Sequence, residues 1–584
     1  MKLFEIFLIC VSVYFAAAEN DKILPDDALI QEWLADQRDH VGAKAERVFV
    51  NITHGELEGT TYVALGGDTI YAYLAIPYAK PPVGNLRFKP PQPWTDSWGT
   101  STRPAYLHPD ACPQWLTNTT TASEDCLFLS VYTKRRSNET NDPLPVMYWI
   151  HGGGFLLGQT SYYTASKMLE NDVIVVTVQY RMGPLGFLTT LDDEIAGNMG
   201  MKDMVMGLHW VQENIAAFGG DPGRVTVFGE SAGGAAVTFL LVSPLARGLF
   251  HGAAAMSGSA IAEWSMDREP LKMTERLALE LGCPIDNSGE LLLCLQAMNW
   301  MNISRAHFEL MLNTQATELR ANLAGTSPTI EHDHAGAFIS QEPLELLENG
   351  LVENVPVMMG ANQHEGSFLL GVAYALRLGW NNTLDDPVYV HQKLVGDLLA
   401  TWGVYEKTNG ASMSQALLAG WVPQDNLRNN FTTMQYELID MFSALFMKAP
   451  ILRTAEILSR KVPEVYFYSF EYASRSSLWN FLALVPIIVP ELAPLIPPFD
   501  GGVTHGDDLL YMFSFPQVPT PADRAMTKTY CKYFADFAIT GKPSPNWEKF
   551  SMEDPNYMQI KSNPVLKKHY PMAWKQGLTF PESE

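Results

Sequence analysis

The segment Arg224-Val-Thr-Val-Phe-Gly-Glu-Ser-Ala-Gly-Gly234 runs from branched and aromatic residues straight into a tight bend of small ones. Inside it, Gly229-Glu230-Ser231-Ala232-Gly233 has the spacing Gly-x-Ser-x-Gly. Glycines two positions either side of the serine remove the Cβ atoms that would collide with the neighbouring strand and helix. The serine is left in a strained backbone conformation, with its hydroxyl clear at a helix N-terminus where the dipole favours developing negative charge. The five-residue pattern alone recurs by chance. The strand-like run before it and the extra glycine after it make it specific, and they demand a strand, a sharp turn and a helix in that order.

The rest of the chain supplies such elements. Residues 146–150, 173–180, 225–228 and 355–359 are short runs rich in Val and Ile, each closed by Gly, Pro or polar residues, and they read as buried strands. Over residues 203–218, Val205, Leu208, Val211, Ile215 and Phe218 recur at three- and four-residue steps, which predicts an amphipathic helix closed by Gly219-Gly220. Strands alternating with helices predict an α/β fold, with a large, mostly parallel central sheet flanked by helices. No repeat or low-complexity linker divides residues 19–584, so one domain is expected. A composition of 47% hydrophobic and 18% charged residues is globular and excludes a disordered chain.

A second glycine cluster follows the strand at 146–150. In His151-Gly152-Gly153-Gly154-Phe155, three glycines let backbone N–H groups converge without side-chain interference. That suits a site for developing oxyanion charge, where one donor is typically worth about 3–4 kcal/mol. A phosphate-binding loop would end in Gly-Lys-Ser/Thr, and this one does not.

Residues 1–18 read as a secretory signal. Lys2 precedes an apolar run over 6–18, and Ala16-Ala17-Ala18 fits the small-x-small cleavage pattern. The run is too short to span a hydrocarbon core of about 30 Å. The expected location is therefore secreted and extracellular. The C-terminal Phe580-Pro581-Glu582-Ser583-Glu584 shows neither an apolar tail nor a retention signal. Beyond the signal stand Cys112, Cys126, Cys283, Cys294 and Cys531. The short loops 112–126 and 283–294 offer the simplest pairing in an oxidising compartment, although spacing alone does not choose among the pairings open to them. Sequons at Asn51, Asn118, Asn138, Asn302, Asn381 and Asn430 are expected glycosylation sites.

A charge of −24, from 40 basic and 64 acidic residues, disfavours nucleic acid and anionic lipid as partners. The apolar segment 482–498 is broken by five prolines and Glu491, so it is no membrane span. It reads as a packed loop or as an apolar rim near His505. Glu331-His332-Asp333-His334 resembles a metal cluster by composition but reads as a solvated turn, and no metal is expected.

Taken together, the motifs resemble the type-B carboxylesterases of the α/β-hydrolase fold, cholinesterase relatives included. Phe218 to Gly233 is similar to that family's serine signature throughout. Glu124-Asp-Cys-Leu-Phe-Leu-Ser-Val-Tyr132 resembles its cysteine signature, with Lys134 a departure where Pro, Gln or Arg is usual. Ala75-Ile-Pro-Tyr-Ala-Lys-Pro-Pro-Val-Gly-Asn-Leu-Arg-Phe88 resembles its N-terminal block. The likeness runs from residue 55 to residue 545 and is closest in style to secreted arthropod carboxylesterases.

The resemblance implies a triad of Ser231, Glu365 (in Glu365-Gly-Ser-Phe368) and His505 (in His505-Gly-Asp-Asp508), in the fold's nucleophile-acid-histidine order. His364 and Asp507 are neighbours that spacing alone does not exclude. Implied oxyanion donors are the N–H groups of Gly153, Gly154 and Ala232. Glu230 and Ser257 would lie beside the triad. Trp264 would wall the acyl pocket, with plain core packing as its alternative, and Phe155 and Phe368 are further aromatic candidates near the motifs. The family's pairing supports the disulfides Cys112–Cys126 and Cys283–Cys294, leaves Cys531 free, and suggests an Arg87–Glu124 ion pair. The implied activity is cofactor-free hydrolysis of a small-molecule carboxylic ester with an apolar acyl or alcohol group. Neuroligin-like adhesion proteins share the scaffold but lose triad residues. A cholinesterase would place tryptophan where Leu116 stands, one residue after Trp115, and a juvenile hormone esterase usually has Gln where Glu230 stands.

Overall fold

The computed structural model describes residues 46–570 apart from 116, 119, 137–141, 318–326, 374–392, 397–416, 418–419, 422–430, 475–476, 479–499 and 516–518. The expected signal, the sequons at Asn138, Asn381 and Asn430, and the segment 482–498 lie outside the described residues.

Among the described residues, one mixed sheet has 13 strands. Its order is β1 (Val48–Ile52), β2 (Gly55–Val63), β3 (Thr69–Pro77), β5 (Phe128–Thr133), β7 (Ile174–Val178), β6 (Leu144–Ile150), β8 (Gly220–Glu230), β9 (Gly252–Met256), β10 (Val357–Asn362), β11 (Val465–Phe470), β12 (Asn556–Ile560) and β13 (Val565–Lys568). The short β4 (Arg103–Pro104) pairs with β2. Every neighbouring pair from β7 to β12 is parallel. The ladders that extend the sheet beyond this block are antiparallel, apart from the short parallel pairing of β4 with β2. Flanked by helices, this is the α/β-hydrolase architecture.

The parallel block is buried on both faces, which is why its strands read as unbroken apolar runs. In β6, Val146, Tyr148 and Ile150 join one core cluster, while Met147 and Trp149 join the cluster on the opposite face. That alternation is the two-residue period of a pleated strand.

Element boundaries differ from the sequence expectation. The strands expected over 146–150, 173–180 and 225–228 run Leu144–Ile150, Ile174–Val178 and Gly220–Glu230. Two further differences have a physical reason. The helix expected over 203–218 begins earlier, as α1 (Met199–Asn214), and its end tightens into a 3₁₀ turn (Ile215–Phe218) before Gly219 closes it at φ +81°. Asp203 is the first residue of the expected helix. It is fully buried mid-helix because Arg181 pairs with it through two N–H···O bonds of 2.8 and 2.7 Å. The strand expected over 355–359 runs instead from Val357 to Asn362, since Pro356 has no N–H to give a ladder.

Two disulfides close short loops, Cys112–Cys126 and Cys283–Cys294, and Cys531 is a free, buried thiol. Arg87 binds Glu124 through two bonds of 2.6 Å and donates to the carbonyls of Leu295, Gln296 and Met298. It therefore fastens the end of the second disulfide helix to the first loop.

Candidate active site

Functional groups gather beyond the carboxyl ends of the adjacent parallel strands β6, β8, β9 and β10, where ligands collect in open α/β sheets. At the end of β8 the chain turns through Ser231, at φ +58° and ψ −122°, into α2 (Ala232–Val242). A positive φ on a residue with a side chain is strained and survives only where the surroundings enforce it. Close packing enforces it here. A Cβ on Gly229 would lie 2.6 Å from the Ile150 carbonyl oxygen, and one on Gly233 only 2.0 Å from it. Ser231 N–H bonds the Met256 carbonyl at 2.9 Å, tying the bend to β9.

The glycine loop after β6 packs against this bend. A Cβ on Gly152 would sit 2.9 Å from Ser231 Cβ. Gly153, Gly154 and Phe155 all take positive φ. Among the described residues, no backbone hydrogen bond spends the N–H of Gly153 or Gly154. Ala232 opens α2, where a first-turn N–H has no intrahelical acceptor. The loop is pinned by Gln114, whose Nε2 donates to Gly158 O at 2.7 Å and whose Oε1 accepts from Gly158 N–H at 3.0 Å. Tyr180 adds a bond from its hydroxyl to His151 O at 2.8 Å.

Glu365 follows β10 and is fully buried. Its Oε1 accepts from the Asn362 N–H at 2.7 Å and from the Ser257 hydroxyl. Its Oε2 lies 2.5 Å from His505 Nδ1. On the other side of the ring, Nε2 lies 3.2 Å from Glu230 Oε1, close enough for an ion pair but not aligned as a hydrogen bond. Glu365, His505, Glu230 and Ser257 are thus brought together. Ser231 is next in the chain after Glu230, and among the described residues no hydrogen bond joins its hydroxyl to Nε2.

The electrostatics follow from several buried carboxylates around one imidazole. Burial pushes the Glu230 carboxyl up to about 8, opposed by His505 and aided by Asp508 and Glu365. Burial lowers the His505 imidazole, but Glu230, Glu365 and Asp508 outweigh it and hold the group up at about 9. Asp508, raised to about 6 by burial and then Glu365, is steadied by Tyr530 Oη at 2.9 Å and Asn362 Nδ2 at 3.1 Å. Sequence reasoning missed this Asp508–Tyr530–Asn362 cluster, because nothing in the spacing marks residues 362, 508 and 530 as neighbours.

The neighbouring candidates have other duties. His364 Nδ1 accepts from Val503 N–H at 2.9 Å, and Asp507 accepts from Ser477, Leu478 and Thr504. Both hold the turn that carries His505. Phe368 lies 5.3 Å from the His505 ring, and half-buried Trp264 donates to Phe446 O at 3.0 Å. Phe155 is wholly buried against Phe187 in the core. Glu331 does not belong to a solvated turn. It is buried and accepts from Lys202 Nζ at 2.7 Å and Asn198 Nδ2 at 2.8 Å. Among the described residues no cluster is built to hold a metal ion.

With this geometry in view, the comparisons agree with one another. Residues 46–575 match the model of the carboxylesterase family. A carboxylic ester hydrolase of Bombus ignitus is 31% identical over 88% of this chain and 89% of its own length. Human cocaine esterase is 32% identical over 91% of each, and juvenile hormone esterase of Tribolium castaneum 32% over 87% of this chain and 86% of its own. The chain belongs to the carboxylesterase family, serine enzymes that hydrolyse carboxylic esters. Among the described residues no helix is long and apolar enough to cross a membrane.

Proposed function

We propose that this chain is a secreted esterase that cleaves small to medium, apolar carboxylic esters through an acyl-enzyme on Ser231. The observation that carries this is the buried Glu365–His505 hydrogen bond, set beside the strained Ser231 bend. His505 Nε2 takes the Ser231 proton as Oγ attacks the ester carbonyl carbon. The N–H groups of Gly153, Gly154 and Ala232 receive the developing oxyanion. His505 then returns the proton to the departing alcohol as the C–O bond breaks. Water repeats the sequence to release the acid and restore the serine. Glu365 holds the imidazole tautomer and stabilises the imidazolium. Ser257 and Asn362 hold Glu365 in turn.

Secretion is supported by the apolar, small-residue N-terminus, by the two disulfides, and by exposed sequons at Asn51, Asn118 and Asn302. The test is Ser231→Ala, which should abolish turnover of a short-chain chromogenic ester and labelling by an organophosphate. A wild-type protein that neither turns over such esters nor takes the label would sink the proposal. A panel of acyl and alcohol chain lengths, compared by kcat/KM, would then fix the ester class.

A further inference from the structure

The helix Phe431–Phe442 does not run smoothly into the helix Ala449–Leu458. Between them, Ser443–Lys448 forms a π-helical turn, with the Ala449 N–H bonded to Ala444 O. Such turns are rare and recur at functional sites. A local cause is Pro450. Proline has no N–H, and its ring crowds the carbonyl four residues back, here that of Phe446. Denied its α-helical donor, the Phe446 carbonyl accepts from the Trp264 indole at 3.0 Å.

The same turn grips the loop around Glu365 on both sides. Lys448 Nζ donates to Gln363 O at 2.6 Å, two residues before the carboxylate. Ser443 Oγ accepts from Gly366 N–H at 2.7 Å, one residue after it, and donates to Ile439 O at 2.7 Å. The approach is close enough that a Cβ on Gly366 would lie 2.2 Å from Ile439 O and 2.5 Å from Ser443 N. Both gripping side chains are buried, Ser443 completely and Lys448 at 6% exposure. Burying an ammonium is costly, and here its hydrogen bond goes to a loop carbonyl.

We propose that Ser443 and Lys448 are positioning residues for Glu365, and that the π turn links them to Trp264. One turn of helix then sets both the carboxylate behind His505 and a wall of the acyl pocket. This rests on the reading of Glu365 as triad acid and Trp264 as acyl wall. Loosening Gln363 O or Gly366 N–H lets the carboxylate drift, which misaligns the imidazole during reaction more than it weakens substrate binding. Restoring an N–H at position 450 gives Phe446 O a backbone donor that competes with the indole.

The experiment compares wild type with Ser443→Ala, Ser443→Thr, Lys448→Met and Pro450→Ala on p-nitrophenyl acetate, butyrate and hexanoate. Ser443→Ala and Lys448→Met should each lower kcat about tenfold with KM within about twofold. Ser443→Thr, which keeps the hydroxyl, should recover most of that loss. Pro450→Ala should change the acetate-to-hexanoate ratio of kcat/KM by about threefold or more. Wild-type kcat in Ser443→Ala, a loss that Ser443→Thr does not recover, or an unchanged ratio in Pro450→Ala would each overturn the proposal. If Lys448→Met does not fold, the Ser443 pair decides. Inactive wild type instead defeats the esterase reading beneath it, so the two failures are told apart.

Discussion

Nε2 of His505 lies 3.2 Å from Oε1 of Glu230, the residue immediately before Ser231. That contact bears on when the imidazole is free to act in its proposed role as base. Burial lowers its pKa, yet Glu230, the first of the opposing carboxylates, helps lift it to about 9. A protonated imidazole cannot accept the serine proton, so activity should rise as pH climbs through the His505 value. Glu230→Gln removes the nearby negative charge. His505 then loses its proton at lower pH, and the acid limb of the profile should move down by about one unit or more. Profiles of kcat/KM against pH on a neutral ester check this. A limb that stays in place or moves up contradicts the electrostatic account.

Arg87 is buried, holds Glu124 through two bonds, and satisfies three carbonyls beside the second disulfide. Arg87→Ala leaves the Glu124 carboxylate and those carbonyls without their donor. Breaking a buried pair from one side typically costs about 3–5 kcal/mol. The expected result is a lower denaturant midpoint with kcat on the surviving folded protein close to wild type. A midpoint unchanged from wild type would contradict it.

Much of the fold and part of the site were legible because close approach leaves a mark in sequence. Gly229, Gly233 and Gly152 stand where a Cβ would meet backbone or the Ser231 side chain within 3 Å, and glycine is easily read. The parallel block was legible because burial on both faces forces unbroken apolar runs. Buried polar partnerships left no such mark. Glu331 reads in sequence as part of a solvated turn, and nothing local announces its pairing with Lys202 or that of Asp203 with Arg181, since both partners are themselves charged. Asp508 finds Tyr530 and Asn362 only through the tertiary fold. His364 and Asp507 stand near Glu365 and His505 in sequence, and only their hydrogen bonds show that they hold the turn.

Gln114 offers a test of the glycine loop that leaves the proposed triad untouched. Its amide meets both backbone groups of Gly158, and it stands two residues after Cys112 of the first disulfide. Gln114→Leu keeps the bulk but leaves a buried N–H and C=O unpaired, at a cost of about 1–3 kcal/mol each. The loop should relax away from Ser231. The expected loss in kcat/KM is about 10- to 100-fold, since sub-ångström placement matters there. Organophosphate labelling should slow in parallel because it uses the same N–H groups. Full-rate labelling by the variant would show that the clamp does not position them.

Gly233→Ala probes the bend itself. The new methyl would lie 2.0 Å from the Ile150 carbonyl oxygen and within 3.0 Å of the His151 backbone, so strand and helix must separate to admit it. Overpacking of this kind costs about 1–3 kcal/mol or more. The neighbouring position is already strained, with Ser231 held at φ +58° by the same contacts. Once the helix moves off β6, the packing that enforces that φ is lost and only the Ser231 N–H bond to Met256 O still ties the bend. The serine should then relax toward an ordinary conformation with its hydroxyl out of place. The variant should therefore lose both stability and organophosphate labelling, even in the fraction that remains folded at low temperature. A folded, fully labelled Gly233→Ala would mean that the bend tolerates a wider gap than these contacts allow.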